Sequence, residues 1–189
     1  MNTLVDVAKE VAGVFDELNV PYAIMGGLAA RSHAIPRPTW DVDFSAVLSA
    51  DRLCLFVERM EAAGYVVPEP YRNGWVDQVG NMPVVKVRLW MKERTIDVDI
   101  FLAENPHQVA AMQRRRLGNV EGQELWVVSA EDLIVFKLIA NRPRDFADIL
   151  DILLIQGELD WGYIDDWAQQ LGVSKRWQEA RDYMQNGKH

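Results

Sequence analysis

Two short segments of this sequence alternate aspartate with apolar residues, and this alternation most constrains the fold. The first is DVDF at residues 41–44, and the second is IDVDIF at residues 96–101. Because successive side chains of a strand point to opposite faces, the aspartates of each pair would lie side by side on one face. Like charges held that close repel unless something positive lies between them. The pattern therefore indicates either a solvated strand end or a divalent metal site.

Hydrophobic periodicity predicts the other elements of the fold. Their order is helix, strand, helix, strand, helix, hairpin, helix, strand and then a run of helices. In the hairpin, a strand around residues 85–90 returns through the turn MKER to TIDVDIFLA, and the helix NPHQVAAMQRRRLG follows. This order predicts an α+β fold with a mixed β-sheet flanked by helices. Residues 1–128 would form the α/β core, and residues 129–189 a C-terminal helical region packed on it.

Composition excludes several classes of protein. The chain of 189 residues has one cysteine, Cys54, which excludes a disulfide framework and a thiolate zinc site. The formal net charge of −8 means that the overall electrostatic field of the protein does not favour nucleic acid. A local basic cleft is still compatible with this charge. The N-terminus does not resemble a secretory signal, and no apolar run approaches the length of a membrane span. We therefore expect a cytoplasmic protein with no membrane partner.

A glycine pair precedes the first aspartate segment. Gly26 and Gly27 stand at a predicted turn into a helix, and Asp41 and Asp43 follow on the next strand. This spacing, with one more acid on a later strand, resembles the nucleotidyltransferases related to DNA polymerase beta. GGLAARSHAIPRPTWDVDF, VDIFLAENPH and SAEDLIVFKLIANRPRDFADI are similar to the bacterial branch with abortive-infection (AbiEii-type) and toxin–antitoxin nucleotidyltransferases. The resemblance covers roughly residues 5 to 155 and implies a nucleotidyltransferase core.

The resemblance also implies a chemistry for these residues. Nucleotidyl transfer uses two Mg²⁺ ions with the NTP, and Asp41 and Asp43 would bind both ions. A third carboxylate would complete the site and accept the proton of the attacking hydroxyl. Asp97 and Asp99 share a strand face, so periodicity leaves both open, and the family pattern favours Asp99. The glycines would let the backbone and the helix N-terminus approach the triphosphate.

Further candidates each have a structural alternative. Lys137 interrupts an apolar helix and would either extend to solvent along the core or contact a phosphate. Arg37 would either clamp the triphosphate or be a loop residue in solvent. Asp145 and Asp148 share a helical face, and Asp145 could cap its helix, but similarity to a toxin-branch motif places both near the nucleotide. The run Arg114–Arg116 would be a solvated helix end or a contact to RNA phosphates.

These observations lead to one principal hypothesis, a Mg²⁺-dependent transfer of a nucleoside monophosphate from an NTP to an acceptor hydroxyl. The acceptor would be a tRNA 3′ end, a protein hydroxyl or a small molecule of the aminoglycoside type. The toxin-like resemblance favours the first two, with a cognate antitoxin or other protein as partner. The alternatives are a catalytically inactive binding module with the same fold and, ranked last, a Ca²⁺-binding homologue.

Overall fold

The computed structural model describes residues 3–72, 75–79, 82–90 and 94–186. The helices are α1 (Leu4–Glu17), α2 (Gly26–His33), α3 (Ala50–Ala62), α4 (Glu69–Arg72), α5 (Pro106–Arg114), α6 (Ala130–Ala140), α7 (Pro143–Ile155), α8 (Trp161–Gln170) and α9 (Ser174–Asn186). The strands are β1 (Tyr22–Met25), β2 (Asp41–Ala46), β3 (Asp77–Val79), β4 (Met82–Trp90), β5 (Thr95–Leu102), β6 (Arg116–Val120) and β7 (Gln123–Val127). None of the helices in this described part of the chain combines the length and the hydrophobicity that crossing a bilayer requires.

The strands named above form one sheet in the order β3-β4-β5-β2-β1-β7-β6. β2 is parallel to β5 and β1 is parallel to β7, whereas the other neighbouring pairs are antiparallel. This mixed sheet with flanking helices confirms the predicted α+β class. The helices α6 to α9 form the predicted run after residue 128. The division into a core and an appended helical region stays a prediction.

The chain after α5 differs from the prediction. The segment RRRLG was expected to extend the helix, but α5 ends at Arg114 and β6 begins at Arg116. β6 and β7 form a hairpin whose turn residues, Glu121 and Gly122, both have positive φ, 50° and 87°. A two-residue turn of this kind matches the twist of the strands it joins. The short elements α4 and β3 were also not predicted, and residues 91–93 of the predicted turn MKER lie outside the described residues.

An aromatic cluster joins α1 to the sheet. Phe15 is fully buried, and its ring centroid lies 4.7 Å from that of Phe56 and 5.3 Å from that of Tyr22. Its ring also meets Phe44 of β2 edge-on at 5.4 Å. Because side chains alternate along β2, packing Phe44 into this cluster turns the aspartates of the same strand to the opposite face.

A buried carboxylate connects the C-terminal helices to α5. Asp132 of α6 accepts hydrogen bonds from the hydroxyls of Ser129 at 2.6 Å and Tyr163 at 2.5 Å. His107 Nε2 lies 3.3 Å from the same carboxylate. Burial acts to raise the pKa of Asp132, but hydrogen bonds from His107, Ser129 and Tyr163 outweigh it and hold the pKa below its ordinary value. Arg114 lies 4.0 Å above the Tyr163 ring, so it contributes to this junction and is not a solvated helix end.

Replacing Phe15 by alanine should reduce the free energy of unfolding by about 3–5 kcal/mol, because it leaves a cavity where α1, α3 and the sheet meet. Urea denaturation would measure the change. Tyr183→Ala is the control, since Tyr183 is 61% exposed and its truncation should change stability by less than about 1 kcal/mol. Similar losses for the two variants would contradict this account of the core.

Candidate active site

The pairing of β2 with β5 brings the two aspartate segments together. The strands are parallel and in register, with Asp41 opposite Asp97 and Asp43 opposite Asp99. All these carboxylates therefore lie on one face of the sheet. The residues that alternate with them are fully buried on the other face: Val42, Phe44, Val98 and Ile100. A shift of one residue would bury the carboxylates and expose this apolar set, so hydrophobic burial fixes the register.

Asp43 lies at the centre of this group. Burial and the charges of Asp41 and Asp99 together raise its pKa to about 7, against the opposing effect of the cations Arg142 and Lys137. Its side chain is nevertheless partly exposed, so solvent reaches it. These three carboxylates thus form a site of concentrated negative charge that a bound cation would stabilise.

The two candidates for the third carboxylate have different surroundings. Asp99 is 20% exposed, lies next to Asp43, and accepts a hydrogen bond from Lys86 Nζ at 2.8 Å. Asp97 is 49% exposed and is paired with Arg88, which is itself 47% exposed. The position of Asp99 beside Asp43 favours it over Asp97. Both roles remain predictions.

The glycine pair provides space for groups of the site. Gly26 has a φ of 64°, and a Cβ atom there would lie 1.9 Å from Asp43 Oδ2. A Cβ atom at Gly27 would lie 2.5 Å from Thr39 Oγ1, which donates a hydrogen bond to Asp41 Oδ1 at 2.7 Å. The absence of a side chain at Gly26 therefore leaves space for the carboxylate of Asp43, and its absence at Gly27 leaves space for the Thr39 hydroxyl that orients Asp41. The sequence predicted room for a triphosphate here, and the structure gives this additional reason for both glycines.

A second polar group surrounds the ammonium of Lys137. Lys137 is only 4% exposed, and its Nζ donates to Asp148 and lies 3.6 Å from Asp145 Oδ1. Arg37 holds the same Asp148 through two hydrogen bonds, Nε to Oδ1 at 2.5 Å and a terminal nitrogen to Oδ2 at 2.7 Å. Burial acts to raise the pKa of Asp148, but the hydrogen bonds from Arg37 and Lys137 outweigh it and lower the pKa. Neither cation extends freely into solvent, because both are paired with Asp148. Their contact with a phosphate stays a prediction.

Asp145 connects this group to the carboxylates of the sheet. Its Oδ2 accepts a hydrogen bond from the backbone N–H of Arg142 at 3.0 Å, so it does cap α7 as one of the sequence interpretations held. It also lines a small cavity of about 30 Å³ together with Gly26, Asp43 and Lys137. That volume holds a few atoms, such as water or a small cation, and not a nucleotide. The sheet and the helices α6 and α7 thus meet at Asp43.

Mg²⁺ is the metal that this donor set would suit. Within the described residues, no three His, Cys, Asp or Glu side chains converge as a ready ligand set. Asp41 and Asp99 are held instead by Thr39 and Lys86. Mg²⁺ nevertheless takes only one or two carboxylates and completes its shell with water and substrate phosphates. The hard oxygen donors and the raised pKa of Asp43 fit such an ion, and Asp41, Asp43 and Asp99 are the residues that could hold it.

Sequence reasoning missed several residues of the site. Lys86 and Thr39 were not singled out, although Lys86 is the direct partner of Asp99. The alternation of Lys86 and Arg88 with valines indicates a strand, but only the register of β4 with β5 shows which carboxylate each cation meets. His33, at the end of α2, lies with its Nε2 2.8 Å from the Val128 carbonyl oxygen.

Comparisons with known proteins agree on the fold. A family model described as a nucleotidyltransferase of unknown function (DUF6036) matches residues 2–186. A comparison with curated protein sequences gives no match. Similar solved structures include an antigenic nucleotidyltransferase-like protein from Paracoccidioides brasiliensis, with a TM-score of 0.64 and 22% identity, covering 96% of this chain and 90% of that one.

Two further solved structures are also similar. ANT(2'')-Ia in complex with adenylyl-2''-tobramycin has a TM-score of 0.57 and 15% identity, covering 95% of this chain and 99% of that one. The lincosamide antibiotic adenylyltransferase LnuA, bound to lincomycin, has a TM-score of 0.52 and 16% identity, covering 78% of this chain and 97% of that one. At these identities the likeness shows the fold alone. The resemblance to the abortive-infection branch stays a prediction.

Replacing Asp43 by asparagine should stabilise the metal-free protein at pH 8 and not at pH 4. The folded-state pKa of Asp43 is about 7, well above its ordinary 3.8, so ionising this group penalises folding progressively as the pH rises from 4 to 7. The asparagine variant lacks this penalty, and its advantage at pH 8 should be about 1–3 kcal/mol, reduced from the full shift because solvent reaches the side chain. Urea denaturation in EDTA would measure it. A pH-independent difference would contradict the shift, and Asp97→Asn is the control expected to show no gain.

Alanine at Gly26 should destabilise the protein more than alanine at Gly122. Both glycines have positive φ, but a Cβ atom at Gly122 meets nothing within 4 Å, whereas one at Gly26 meets Asp43. Gly122→Ala should therefore lower the free energy of unfolding by about 1 kcal/mol, the cost of placing alanine at positive φ. Gly26→Ala should lower it by about 1–3 kcal/mol more, because its Cβ atom also displaces Asp43. Equal losses in thermal or urea unfolding would show that Asp43 does not depend on the space at Gly26.

Proposed function

Because this chain belongs to the nucleotidyltransferase family of unknown function DUF6036, we propose that it transfers a nucleoside monophosphate from an NTP to an acceptor hydroxyl with Mg²⁺. The observation that carries the proposal is the in-register pairing of β2 with β5, which places Asp99 beside Asp43 next to Gly26. Such a group of carboxylates suits a reaction in which metal ions carry the phosphates.

Each carboxylate has a role in this proposal. Asp41 and Asp43 bind the metal, and Thr39 keeps Asp41 oriented by its hydrogen bond. When bound, Mg²⁺ neutralises the carboxylates, carries the triphosphate and favours ionisation of the acceptor hydroxyl. Asp99 accepts the proton of that hydroxyl, in a position where Lys86 holds its carboxylate in place. The acceptor oxygen then bonds to the α-phosphorus, and pyrophosphate leaves.

The cations of α6, of the N-cap of α7 and of the loop before β2 bind the phosphates. Lys137 and Arg142 line the small cavity that contains Asp43, and both lower the pKa of that carboxylate. Arg37 reaches the same region through Asp148, which it shares with Lys137. We assign Lys137, Arg142 and Arg37 to the triphosphate, with Asp145 and Asp148 holding them in place.

The acceptor is a separate question. The sequence resemblance favours a tRNA 3′ end or a protein hydroxyl within a toxin–antitoxin or phage-defence system, with a cognate antitoxin as partner. The likeness to structures with adenylylated tobramycin and with lincomycin favours a small molecule. If expression of the wild-type protein arrests growth and expression of Asp43→Ala does not, the toxin role is supported. Antibiotic resistance without arrest would support a small-molecule acceptor.

We expect wild-type protein to bind an NTP in the presence of Mg²⁺ and not in EDTA, and Asp43→Ala to lose this binding while staying folded. The reason is that Asp43 is affected by the charges of both Asp41 and Asp99 and lies against Gly26 at the start of α2. Isothermal calorimetry with each of the four NTPs would measure it. Binding that survives in Asp43→Ala would contradict the metal site, and a folded wild type without NTP binding would indicate a catalytically inactive binding module.

A matched pair of variants separates the third carboxylate from its neighbour. Asp99→Asn should lower the transfer rate about 100-fold or more while the NTP still binds, because the proton acceptor is lost. Asp97→Asn should lower it by less than about tenfold, since Asp97 is half exposed and paired with Arg88. The reverse order would make Asp97 the proton acceptor.

A further inference from the structure

A cavity of about 390 Å³ lies against the carboxylates on the β4 side of the sheet. It is separate from the small cavity of Asp43 and Lys137, and its lining combines the acids with cations and rings: Asp41, Pro68, Tyr71, Trp75, Lys86, Arg88, Asp97 and Asp99. Its volume lies within the range of roughly 300–1,000 Å³ that is usual for small-molecule sites. The site proposed above therefore has an adjoining space on the side of the proton acceptor.

The outer wall of this cavity is an aromatic platform. Tyr71 is buried, and its ring centroid lies 5.5 Å from that of Trp75, which is 52% exposed. The backbone N–H of Trp75 donates to the Pro70 carbonyl at 3.0 Å, and Val66 exchanges backbone hydrogen bonds of 2.7 and 2.9 Å with Arg88. The backbone at Val66 is thus tied to β4, and the half-exposed Trp75 is one of the residues that line the cavity. An exposed indole ring is suited to packing against a flat ligand.

The charges of this cavity do not suit a phosphate. Its described lining has two cations, and both are already paired, Lys86 with Asp99 and Arg88 with Asp97. Asp41 adds a third carboxylate, so acids exceed cations in this lining. RNA binding depends on lysine and arginine contacts to phosphates, which these described residues do not offer.

We propose that this cavity is the acceptor site and that the acceptor is a small, phosphate-free hydroxyl compound with a flat face that packs on Trp75. This inference rests on the proposed nucleotidyl transfer and goes beyond it by excluding an RNA 3′ end. The acceptor hydroxyl lies beside Asp99, which takes its proton. Its oxygen bonds to the α-phosphorus of the NTP, the bond to the bridging oxygen breaks, and pyrophosphate carries away that electron pair.

The acceptor class is tested with an NTP labelled at its α-phosphate, Mg²⁺ and three fractions of a cell extract from the source organism. These are a size-filtered, phosphatase-treated metabolite fraction, total tRNA with intact 3′ ends, and the protein fraction. We expect the wild-type protein to label the metabolite fraction and Asp43→Ala not to label it, and we expect neither protein to label the tRNA or the protein fraction. Label transferred to tRNA or to protein in an Asp43-dependent manner would overturn the inference, as would an unlabelled metabolite fraction.

The site is tested with Trp75→Ala on the labelled metabolite fraction. We expect the concentration of acceptor needed for half-maximal transfer to rise about tenfold or more, because the variant loses a ring on which the acceptor stacks. The affinity for the NTP should not change. Trp75→Phe should retain most of the transfer, and Trp161→Ala, a half-exposed tryptophan of α8, should behave as wild type. An unchanged acceptor requirement in Trp75→Ala would overturn the inference.

The two proposals fail in different ways. If the acceptor inference is wrong, Mg²⁺-dependent NTP binding persists and is still lost in Asp43→Ala. If nucleotidyl transfer itself is wrong, that binding is absent or does not depend on Asp43.

Discussion

Repulsion between carboxylates on two parallel strands is the constraint around which this structure is arranged. The in-register pairing of β2 and β5 stacks aspartate on aspartate twice, and the burial of their apolar neighbours prevents either strand from shifting. The surrounding residues reduce the resulting strain: Lys86 and Arg88 approach from β4, and Thr39 binds Asp41. Of these aspartates, Asp43 alone has no such partner among the hydrogen bonds of the described residues, and burial together with the charges of Asp41 and Asp99 raises its pKa. A site of this kind favours a divalent cation.

The helices that follow the sheet bring the opposite charge to the same place. α6 is apolar around nearly its whole circumference and is buried, so its position relative to the sheet is fixed by packing. Lys137 is carried into the interior by that packing, where carboxylates of α7 surround it. Asp132 and its partners anchor the start of the same helix to α5 and α8. The separation of Lys137 from Asp43 is therefore set by the core and not by a mobile loop.

The sequence predicted the class of fold, most of the helices and strands, and the residues that meet at the candidate site. Asp41 and Asp43 follow from side-chain alternation, and the resemblance to nucleotidyltransferases added Gly26, Lys137 and Asp148. It did not predict β6, because three consecutive arginines continue a helical pattern and the turn at Glu121 and Gly122 gives only a weak signal. Nor could it pair Lys86 with Asp99 or Arg37 with Asp148, since such contacts depend on register and on packing between distant segments.

Asp148 has a consequence for the energetics of nucleotide binding. Its carboxylate is bound by Arg37 and Lys137 together, and it is 2% exposed. In the proposed reaction it therefore acts as an intramolecular competitor, a built-in counter-anion that a triphosphate must displace before it gains either cation. Such an exchange replaces one set of charge-assisted hydrogen bonds by another, so it reduces the net affinity that the nucleotide gains from these cations. The same carboxylate keeps the cations ordered before the nucleotide binds, so the cost of displacing it and the preorganisation of the cations have one origin.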